Sequence, residues 1–372
     1  MSVSALLVLL GLVLLVGGGE LLVRGSSGLA RSLGLSPLVI GLTVVAFATS
    51  APEFAVTLGA TLSGEPDLAV GNVVGSNIVN VLLILGVSAL VIPLAVASRV
   101  VRHDVPVMLG LSVAALVLAL DGRVSPLDGV VLLGVLVVYT VTSVVGARRE
   151  TAARRATERE SVAAGTPVWR DVAVALSGVV LLVAGARSLV TGATDIALAL
   201  QVSTAVIGLT VVAIGTSLPE LATSVVAAWR GERDIAIGNI VGSNIFNLGA
   251  VLGLSAVLSG GGVPVAASII AVDLPLMVAA ALALLPVAVT GFRMARAEGG
   301  LFVLLYAAYT AYLVLDSAGH DALEGFTTVM LWFVLPLVAA TLLATLAFEV
   351  RQRRRRHLAA PHNEFEPAEP SP

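Results

Sequence analysis

The sequence contains no cysteine and no lysine, and few of its residues are aromatic or charged. Of its 372 residues, 12% are charged and 4% are aromatic. The absence of cysteine excludes disulfides, thiolate catalysis and cysteine-ligated zinc or iron–sulfur sites. A soluble domain has about a quarter of its residues charged, so the low fraction here argues against a water-soluble enzyme or a nucleic-acid-binding protein.

Long apolar runs account for most of the chain. Apolar residues make up 58% of the sequence, and the mean hydropathy is +1.02. Because a helix needs about 20 apolar residues to cross a bilayer, the chain can supply about ten spans. The runs predict eleven helices, which cover residues 3–23, 36–62, 67–94, 104–120, 126–146, 171–190, 203–228, 234–258, 266–290, 299–315 and 326–348. The sequence therefore predicts an all-α polytopic membrane protein.

The arginines are distributed unevenly among the predicted loops. If the N-terminus lies outside, nineteen of the 21 arginines fall on the cytoplasmic side, and Arg123 and Arg187 fall on the outer side. Cytoplasmic loops of membrane proteins are enriched in Lys and Arg. We therefore predict a multi-pass protein of the cell (plasma or inner) membrane, with its N-terminus outside and its C-terminus in the cytoplasm.

Two segments of the chain repeat each other at an offset of 167 residues. Residues 41–86 and 208–253 align without gaps, and 26 of the 46 positions are identical. A repeat of this kind indicates two structural halves, each with five spans. The predicted organisation is a first five-helix repeat (1–146), a cytoplasmic linker (147–170), a second five-helix repeat (171–318), an extra transmembrane helix (319–350) and a basic, then disordered tail (351–372).

The two halves are predicted to be inverted relative to each other. Because five is an odd number of spans, the second half enters the membrane from the opposite side. Inverted repeats are typical of transporters whose binding site lies at the midplane and faces alternately in and out. The predicted fold is therefore two inverted five-helix repeats, which form a core of ten helices, with an eleventh transmembrane helix appended.

The second and seventh spans are each interrupted by a polar pentapeptide, TSAPE at 49–53 and TSLPE at 216–220. Each places a glutamate, Glu53 or Glu220, near the bilayer centre, where an ionisable residue costs about 2.5–3.5 kcal/mol on insertion scales. The proline has no N–H and clashes with the carbonyl four residues earlier, so we predict a broken helix at both places. Freed carbonyls, hydroxyls and a carboxylate are the ligands that a hard cation needs.

The third and eighth spans each carry a polar stripe along one helical face. The residues at i, i+4 and i+8 are Asn72, Ser76 and Asn80 in the third span and Asn239, Ser243 and Asn247 in the eighth. Such stripes also serve as hydrogen-bonding contacts between membrane helices, and this alternative stays open for each stripe taken alone. Two facing glutamates carry a formal charge of −2, which balances one Ca²⁺ or two Na⁺.

The repeated motifs resemble those of a known family. GLTVVA-x-x-TS-x-PE and GN-x-x-GSNI-x-N are similar to the two α-repeats of the calcium/cation antiporter superfamily, which includes the sodium/calcium exchangers and their bacterial relatives. The resemblance covers spans one to ten. It implies exchange of Ca²⁺ for a monovalent cation through ten inverted-repeat helices, without a cofactor and without enzymatic activity.

The resemblance also implies which residues bind the ions, position by position in the two motifs. The implied side-chain ligands are Ser50, Glu53, Ser76 and Asn80 in the first half, and Ser217, Glu220, Ser243 and Asn247 in the second. Backbone carbonyls of Ala46, Thr49, Ala213 and Thr216 are implied to complete the sites. Glu53 and Glu220 are expected to contact Ca²⁺ directly and to help hold Na⁺.

One position departs from the family pattern. Well-known sodium/calcium exchangers carry aspartate where this chain has Asn247, so the site has two carboxylates instead of three. The stoichiometry and the counter-ion therefore stay open, with Na⁺ as first choice and H⁺ as the alternative. An asparagine can stand in for a carboxylic acid that stays protonated, so this departure is compatible with exchange.

Two other classes of function match parts of the pattern. An intramembrane serine hydrolase using Ser50 or Ser217 needs a base, but all four histidines are predicted in loops or in the tail. A passive cation channel shares the ligands, but paired deep carboxylates in inverted repeats favour exchange over conduction. The predicted partners are Ca²⁺, Na⁺ or H⁺ and the lipid bilayer; the sequence indicates neither a nucleic acid nor a protein partner.

Three further acidic residues receive structural predictions. Asp104 and Asp273 each precede a proline by two residues at the start of a predicted helix, so both are predicted as N-caps. Glu20 lies near the inner end of the first span and is predicted to reach the interface or to pair with an arginine.

Overall fold

The computed structural model describes residues 2–157, 167–202, 207, 210–211, 213–289, 292–344 and 347. Helices of the first half are α1 (Ser2–Leu33), α2 (Pro37–Thr49), α3 (Ala51–Leu62), α4 (Pro66–Val91), α5 (Val100–Asp121) and α6 (Pro126–Thr157). Those that follow are α7 (Val168–Ala199), α8 (Ala213–Thr216), α9 (Leu218–Trp229), α10 (Arg233–Leu258), α11 (Ile269–Val287), α12 (Arg296–Ser317) and α13 (Ala322–Ala344).

The helices account for most of the predicted spans. Among the described residues, nine helices are long and apolar enough to cross a membrane, and α2 with α3 forms a further span bent by 45°. The predicted seventh span, 203–228, is described in part, because 203–206, 208, 209 and 212 lie outside the described residues. The chain is therefore the all-α polytopic membrane protein that its composition predicts.

Helices α1 and α7 are longer than predicted. The predicted spans 3–23 and 171–190 contain 21 and 20 residues, but both helices contain 32 residues. A charge marks the edge of an apolar run and does not end a helix; α1 stops where Gly34 adopts φ +64° and Ser36 and Pro37 follow. At 1.5 Å per residue each helix is about 48 Å long, which exceeds a hydrocarbon layer of about 30 Å.

The two long helices pack against each other across the two halves. A side chain on Gly178 of α7 would meet the backbone of α1, because its Cβ would lie 2.5 Å from the Leu22 nitrogen and 2.7 Å from the Gly18 oxygen. Small residues allow membrane helices to approach this closely. Towards one end of the pair, the Ser32 hydroxyl donates a hydrogen bond of 3.0 Å to Asp171 Oδ2.

Four two-residue strands show how the halves are joined. They are β1 (Leu94–Ala95), β2 (Arg123–Val124), β3 (Val263–Pro264) and β4 (Arg293–Met294). β1 pairs antiparallel with β4, and β2 pairs antiparallel with β3. Because α5 separates β1 from β2, the two pairs lie at opposite ends of the molecule. The loops after the equivalent helices α4 and α10 therefore lie at opposite ends, which is the predicted inversion.

Asp104 and Asp273 are not N-caps, so that prediction was wrong. Asp104 has helical backbone angles, φ −76° and ψ −46°, and its side chain makes no capping hydrogen bond. The helix begins earlier, through a π-helical turn, and this turn accommodates the proline. Each aspartate instead accepts a hydrogen bond from a tyrosine hydroxyl, Tyr139 at 3.0 Å for Asp104 and Tyr309 at 2.8 Å for Asp273.

The connecting segments bear on the remaining predictions. Helix α6 continues to Thr157, so the first part of the predicted linker 147–170 is helical, whereas 158–166 and the tail 351–372 lie outside the described residues. The predicted pairing of Glu20 with an arginine is confirmed, because its carboxylate lies 2.5 Å from the Arg230 guanidinium. An ion pair this exposed contributes little stability.

Candidate cation site

Both predicted helix breaks are present and occur at serines. Ser50 separates α2 from α3 with φ −80° and ψ 4°, and Ser217 separates α8 from α9 with φ −91° and ψ 8°. Pro52 and Pro219 then occupy the first turn of the following helix, where the missing N–H costs no hydrogen bond. Each break leaves the C-terminal end of one short helix beside the N-terminal end of the next.

The two glutamates lie in the first turns of the helices that follow the breaks. Glu53 in α3 and Glu220 in α9 are both completely buried, with 0% of each residue exposed. A helix N-terminus carries partial positive charge, which stabilises a nearby carboxylate. The C-terminal ends of α2 and α8 carry partial negative charge, so they add to the carboxylates in attracting a cation.

Each glutamate is hydrogen-bonded by the serine of the opposite half. Ser50 Oγ donates to Glu220 Oε1 at 3.2 Å, and Ser217 Oγ donates to Glu53 Oε1 at 3.1 Å. The second oxygen of each carboxylate, Oε2, is buried without a hydrogen-bond partner. A buried carboxylate oxygen left in this way is costly, so both oxygens are candidates for binding a cation.

Further buried oxygens without partners come from the polar stripes of α4 and α10. Ser76, Asn80 and Asn247 are each 2% exposed or less. Their atoms without a hydrogen-bond partner are Ser76 Oγ, both polar atoms of the Asn80 amide, and Asn247 Oδ1. Native proteins leave few buried polar groups unpaired, so these atoms are further candidates for binding a ligand.

The threonines before the breaks also bond across the two halves. Thr49 Oγ1 donates to Asn239 Oδ1 at 3.0 Å and lies 3.4 Å from Ser243 Oγ. In the opposite sense, Thr216 Oγ1 donates to Asn72 Oδ1 at 3.4 Å. The same arrangement therefore occurs twice: a threonine of one half donates a hydrogen bond to an asparagine of the other half.

Asn72 and Asn239 brace the helices that carry the glutamates. Asn72 Nδ2 donates to the Glu53 backbone oxygen at 3.2 Å and to Thr57 Oγ1 at 2.9 Å. Asn239 Nδ2 makes the same pair of bonds, to the Glu220 backbone oxygen at 3.5 Å and to Ser224 Oγ at 3.0 Å. These asparagines were predicted on the stripes but outside the implied ligand set, and their amide groups serve as braces.

The implied carbonyl ligands lie in the short helices before the breaks. Ala46 belongs to α2 and is buried, and its oxygen accepts the Ser50 backbone N–H at 3.0 Å. Ala213 and Thr216 are the first and last residues of α8. Helix α2 packs closely on α10, because a Cβ on Gly242 would lie 2.6 Å from the Leu42 oxygen and 2.8 Å from Ala46 Cβ.

The charge of the site comes from two carboxylates. Across the residues that the structure describes, no three His, Cys, Asp or Glu side chains form a group that could hold a metal ion. With both glutamates ionised the site carries two negative charges, and burial makes a compensating positive charge necessary. One divalent cation, two monovalent cations or protons can supply it.

The serines have no partner that could make them nucleophiles. Ser50 and Ser217 donate to carboxylates at the site. The two histidines within the described residues, His103 and His320, are both exposed. A serine hydrolase needs a base within hydrogen-bond distance that is oriented by a third group, and neither histidine of the described residues is hydrogen-bonded to these serines.

Comparisons with known proteins place this geometry in context. Residues 3–145 and 171–315 match the profile of a family described as sodium/calcium exchanger protein. The putative antiporter CaxA of Alkalimonas amylolytica is 39% identical over 322 residues, which cover 85% of this chain and 100% of that relative. The sodium/calcium exchanger MaX1 of Methanosarcina acetivorans is 34% identical over 349 residues, which cover 84% of this chain and 99% of that relative.

The fold is similar to that of a solved exchanger. A structure of the sodium-calcium exchanger NCX_Mj, soaked with zero Na⁺ and Ca²⁺, aligns with a TM-score of 0.71 at 34% sequence identity. The alignment covers 84% of this chain and 99% of that one. The similarity therefore extends over both halves.

Proposed function

This chain belongs to the sodium/calcium exchanger family, and we propose that it exchanges Ca²⁺ for Na⁺ by alternating access. The family and its relatives are membrane exchangers, so the chain is a multi-pass membrane transporter and not an enzyme. The observation that carries the proposal is the buried pair Glu53 and Glu220, each hydrogen-bonded to the serine of the opposite half. Inverted repeats that meet at a midplane site are the architecture of alternating access.

The proposed ions are held by the residues at and beside the two helix breaks. The two glutamates bind Ca²⁺ through their unpartnered Oε2 atoms and also help to hold Na⁺. The remaining proposed ligands are the side chains of Ser50, Ser217, Ser76, Ser243, Asn80 and Asn247, and the backbone carbonyls of Ala46, Thr49, Ala213 and Thr216. Oxygen ligands of this kind are those that Ca²⁺ prefers.

The charge balance supports Na⁺ as counter-ion but also admits H⁺. Two carboxylates neutralise one Ca²⁺ or two Na⁺, so a site that binds these ions in turn stays electrically neutral. Two protons neutralise the same carboxylates, which makes Ca²⁺/H⁺ exchange the second candidate. The relative MaX1 is named a sodium/calcium exchanger, and this name favours Na⁺.

Transport in vesicles tests the proposal. With the purified full chain in liposomes, an outward Na⁺ gradient is expected to drive ⁴⁵Ca²⁺ uptake, because each Ca²⁺ that enters is coupled to Na⁺ that leaves. A K⁺ gradient of the same size serves as the control and is expected to drive none. Uptake that follows an imposed pH gradient and ignores Na⁺ supports the second candidate. If neither gradient drives the flux of any divalent cation, the exchanger proposal is wrong.

We also propose that the N-terminus lies outside and that the arginine-rich loops face the cytoplasm. Because the chain contains no cysteine, single cysteines can be added to an unmodified background. Ser63→Cys, in the loop before α4, is expected to react with a membrane-impermeant maleimide added to whole cells. Arg233→Cys, at the first residue of α10 and next to the equivalent loop of the second half, is expected to react only after lysis. Both side chains are exposed, and the reverse pattern contradicts the orientation.

A further inference from the structure

A buried amide network joins α4 to α10 and includes two residues outside the proposed ligand set. Asn77 of α4 and Asn244 of α10 occupy equivalent positions of the repeat, and they are 2% and 1% exposed. Asn77 Nδ2 lies 3.3 Å from the backbone oxygen of Asn244, and Asn77 Oδ1 lies 3.1 Å from Asn247 Nδ2. Asn77 Nδ2 also lies 3.7 Å from Met277 Sδ, so one side chain of the first half contacts three residues of the second.

The direction of both hydrogen bonds follows from the backbone carbonyl of Asn244. A carbonyl oxygen can only accept, so the Asn77 amide must turn its NH₂ towards it. The oxygen of Asn77 then faces Asn247, whose NH₂ must donate the hydrogen bond to it. The Asn247 oxygen is left without a hydrogen-bond partner in a buried position.

The two halves differ at this point, although both carry asparagine at the two equivalent positions. Asn244 donates its NH₂ to the Ile240 oxygen of its own helix at 2.9 Å. Asn80, which is equivalent to Asn247, has neither of its amide atoms hydrogen-bonded. Of these two equivalent asparagines, Asn247 is thus held in one orientation and Asn80 is not.

We propose that Asn77 is a positioning residue that makes Asn247 present its carbonyl oxygen, and not its NH₂ group, to the transported cation. The inference rests on the proposed function, in which Asn247 is an ion ligand. Hard cations bind oxygen, and an amide turned over would bring N–H donors to the site instead. The π-helical segment that begins at Asn247 packs against α3, the helix of Glu53.

Asn77 also determines which residue can occupy position 247. An amide donates a hydrogen bond to Asn77 Oδ1, whereas an ionised aspartate has no hydrogen to donate and would place two acceptors in contact. Turning Asn77 over does not help, because its oxygen would then face the Asn244 carbonyl. The network therefore selects a neutral donor at 247, and the site keeps two negative charges.

Kinetics of the reconstituted full chain test this role. Asn77→Leu keeps the size of the side chain and removes its hydrogen bonds to Asn244 and Asn247. It is expected to raise the apparent KM for Ca²⁺ about tenfold with little change in maximal rate. In an Asn247→Ala background, which lacks the amide to be positioned, the same substitution is expected to add no further rise. Asn77→Ser, whose hydroxyl is too short to span both partners, is run in parallel and is expected to behave alike.

Asn244→Leu is the matched control, because it is equally buried and keeps the backbone carbonyl that Asn77 uses. Its KM for Ca²⁺ is expected to stay within about twofold of the wild type. An unchanged KM in the Asn77 variants, or an equal rise in both backgrounds, overturns the positioning role. If Asn247→Ala leaves the KM unchanged while the glutamates prove essential, this inference fails and the proposed function stands. If the glutamates prove dispensable, the proposed function itself fails.

Where uptake is too slow for a fit, the Ca²⁺-induced rise in the thermal midpoint of the purified protein measures binding directly. The expected pattern is the same. The rise is smaller in Asn77→Leu and in Asn77→Ser than in the wild type, and it does not differ between Asn247→Ala alone and Asn247→Ala combined with Asn77→Leu.

Discussion

Glu53→Gln and Glu220→Gln are each expected to reduce Na⁺-driven ⁴⁵Ca²⁺ uptake by more than about 100-fold. The reason is that removing a carboxylate from its buried pair with the bound Ca²⁺ leaves the cation undercompensated, and breaking a buried ion pair costs about 3–5 kcal/mol. Glutamine keeps the shape and one oxygen of the side chain, so the change removes a single negative charge. The remaining carboxylate balances one Na⁺ but only half the charge of Ca²⁺. The measurement is initial uptake into liposomes that hold equal amounts of folded protein.

Glu65→Gln is the matched control for this pair. Glu65 is an exposed glutamate in the loop before α4, and no role in ion binding is proposed for it. Its uptake is expected to stay within about twofold of the wild type. Uptake above about a tenth of the wild-type rate in both buried-site variants would contradict the ligand assignment. If only one of the two variants loses uptake, the proposal that both glutamates bind Ca²⁺ in the same way is contradicted.

Gly242→Val is expected to lower the thermal midpoint by about 5 °C or more and to reduce uptake about tenfold. A Cβ at this position would lie 2.6 Å from the Leu42 oxygen and 2.8 Å from Ala46 Cβ, so α2 has to move away from α10. That movement displaces Ala46 and Thr49 at the end of α2, and with them the hydrogen bond from Thr49 to Asn239. Differential scanning fluorimetry and ⁴⁵Ca²⁺ uptake measure the two effects.

Gly134→Val is the control for this substitution. Gly134 is exposed on α6, and a Cβ there would meet no atom within 4 Å. The thermal midpoint is expected to change little, since the cost of a β-branched residue on a helix surface is small. Equal effects of the two substitutions would mean that the close contact of α2 with α10 does not hold the site together.

The sequence predicts the spans and the inversion well because both depend on local or countable features. The apolar run 67–94 corresponds closely to α4, and the run 234–258 corresponds closely to α10. The ends of α1 and α7 were predicted too early, since a charged side chain can leave the hydrocarbon while its backbone stays helical. The strands β1 to β4 were not predicted, because two residues carry no alternating pattern.

The composition of the candidate site was also accessible from the sequence, but its connections were not. The repeated TS-x-PE motif predicts a broken helix with a buried glutamate, and the breaks occur at Ser50 and Ser217. That Ser50 bonds Glu220, 170 residues away, depends on how the halves pack. Asn77 lies off the predicted stripe, and its identity with Asn244 in the repeat is the one sequence signal that could have drawn attention to it.

The sequence by itself determined that this is a membrane protein of two inverted halves with polar residues at costly depth. Hydrophobic run length, charge placement and an odd number of spans do not depend on which helix packs against which. The tertiary structure alone decided the partners: each glutamate with the serine of the other half, and Asn77 with Asn247. The two repeats carry the same asparagines at these positions, so only their packing determines that Asn247 is held by a neighbour while Asn80 is not.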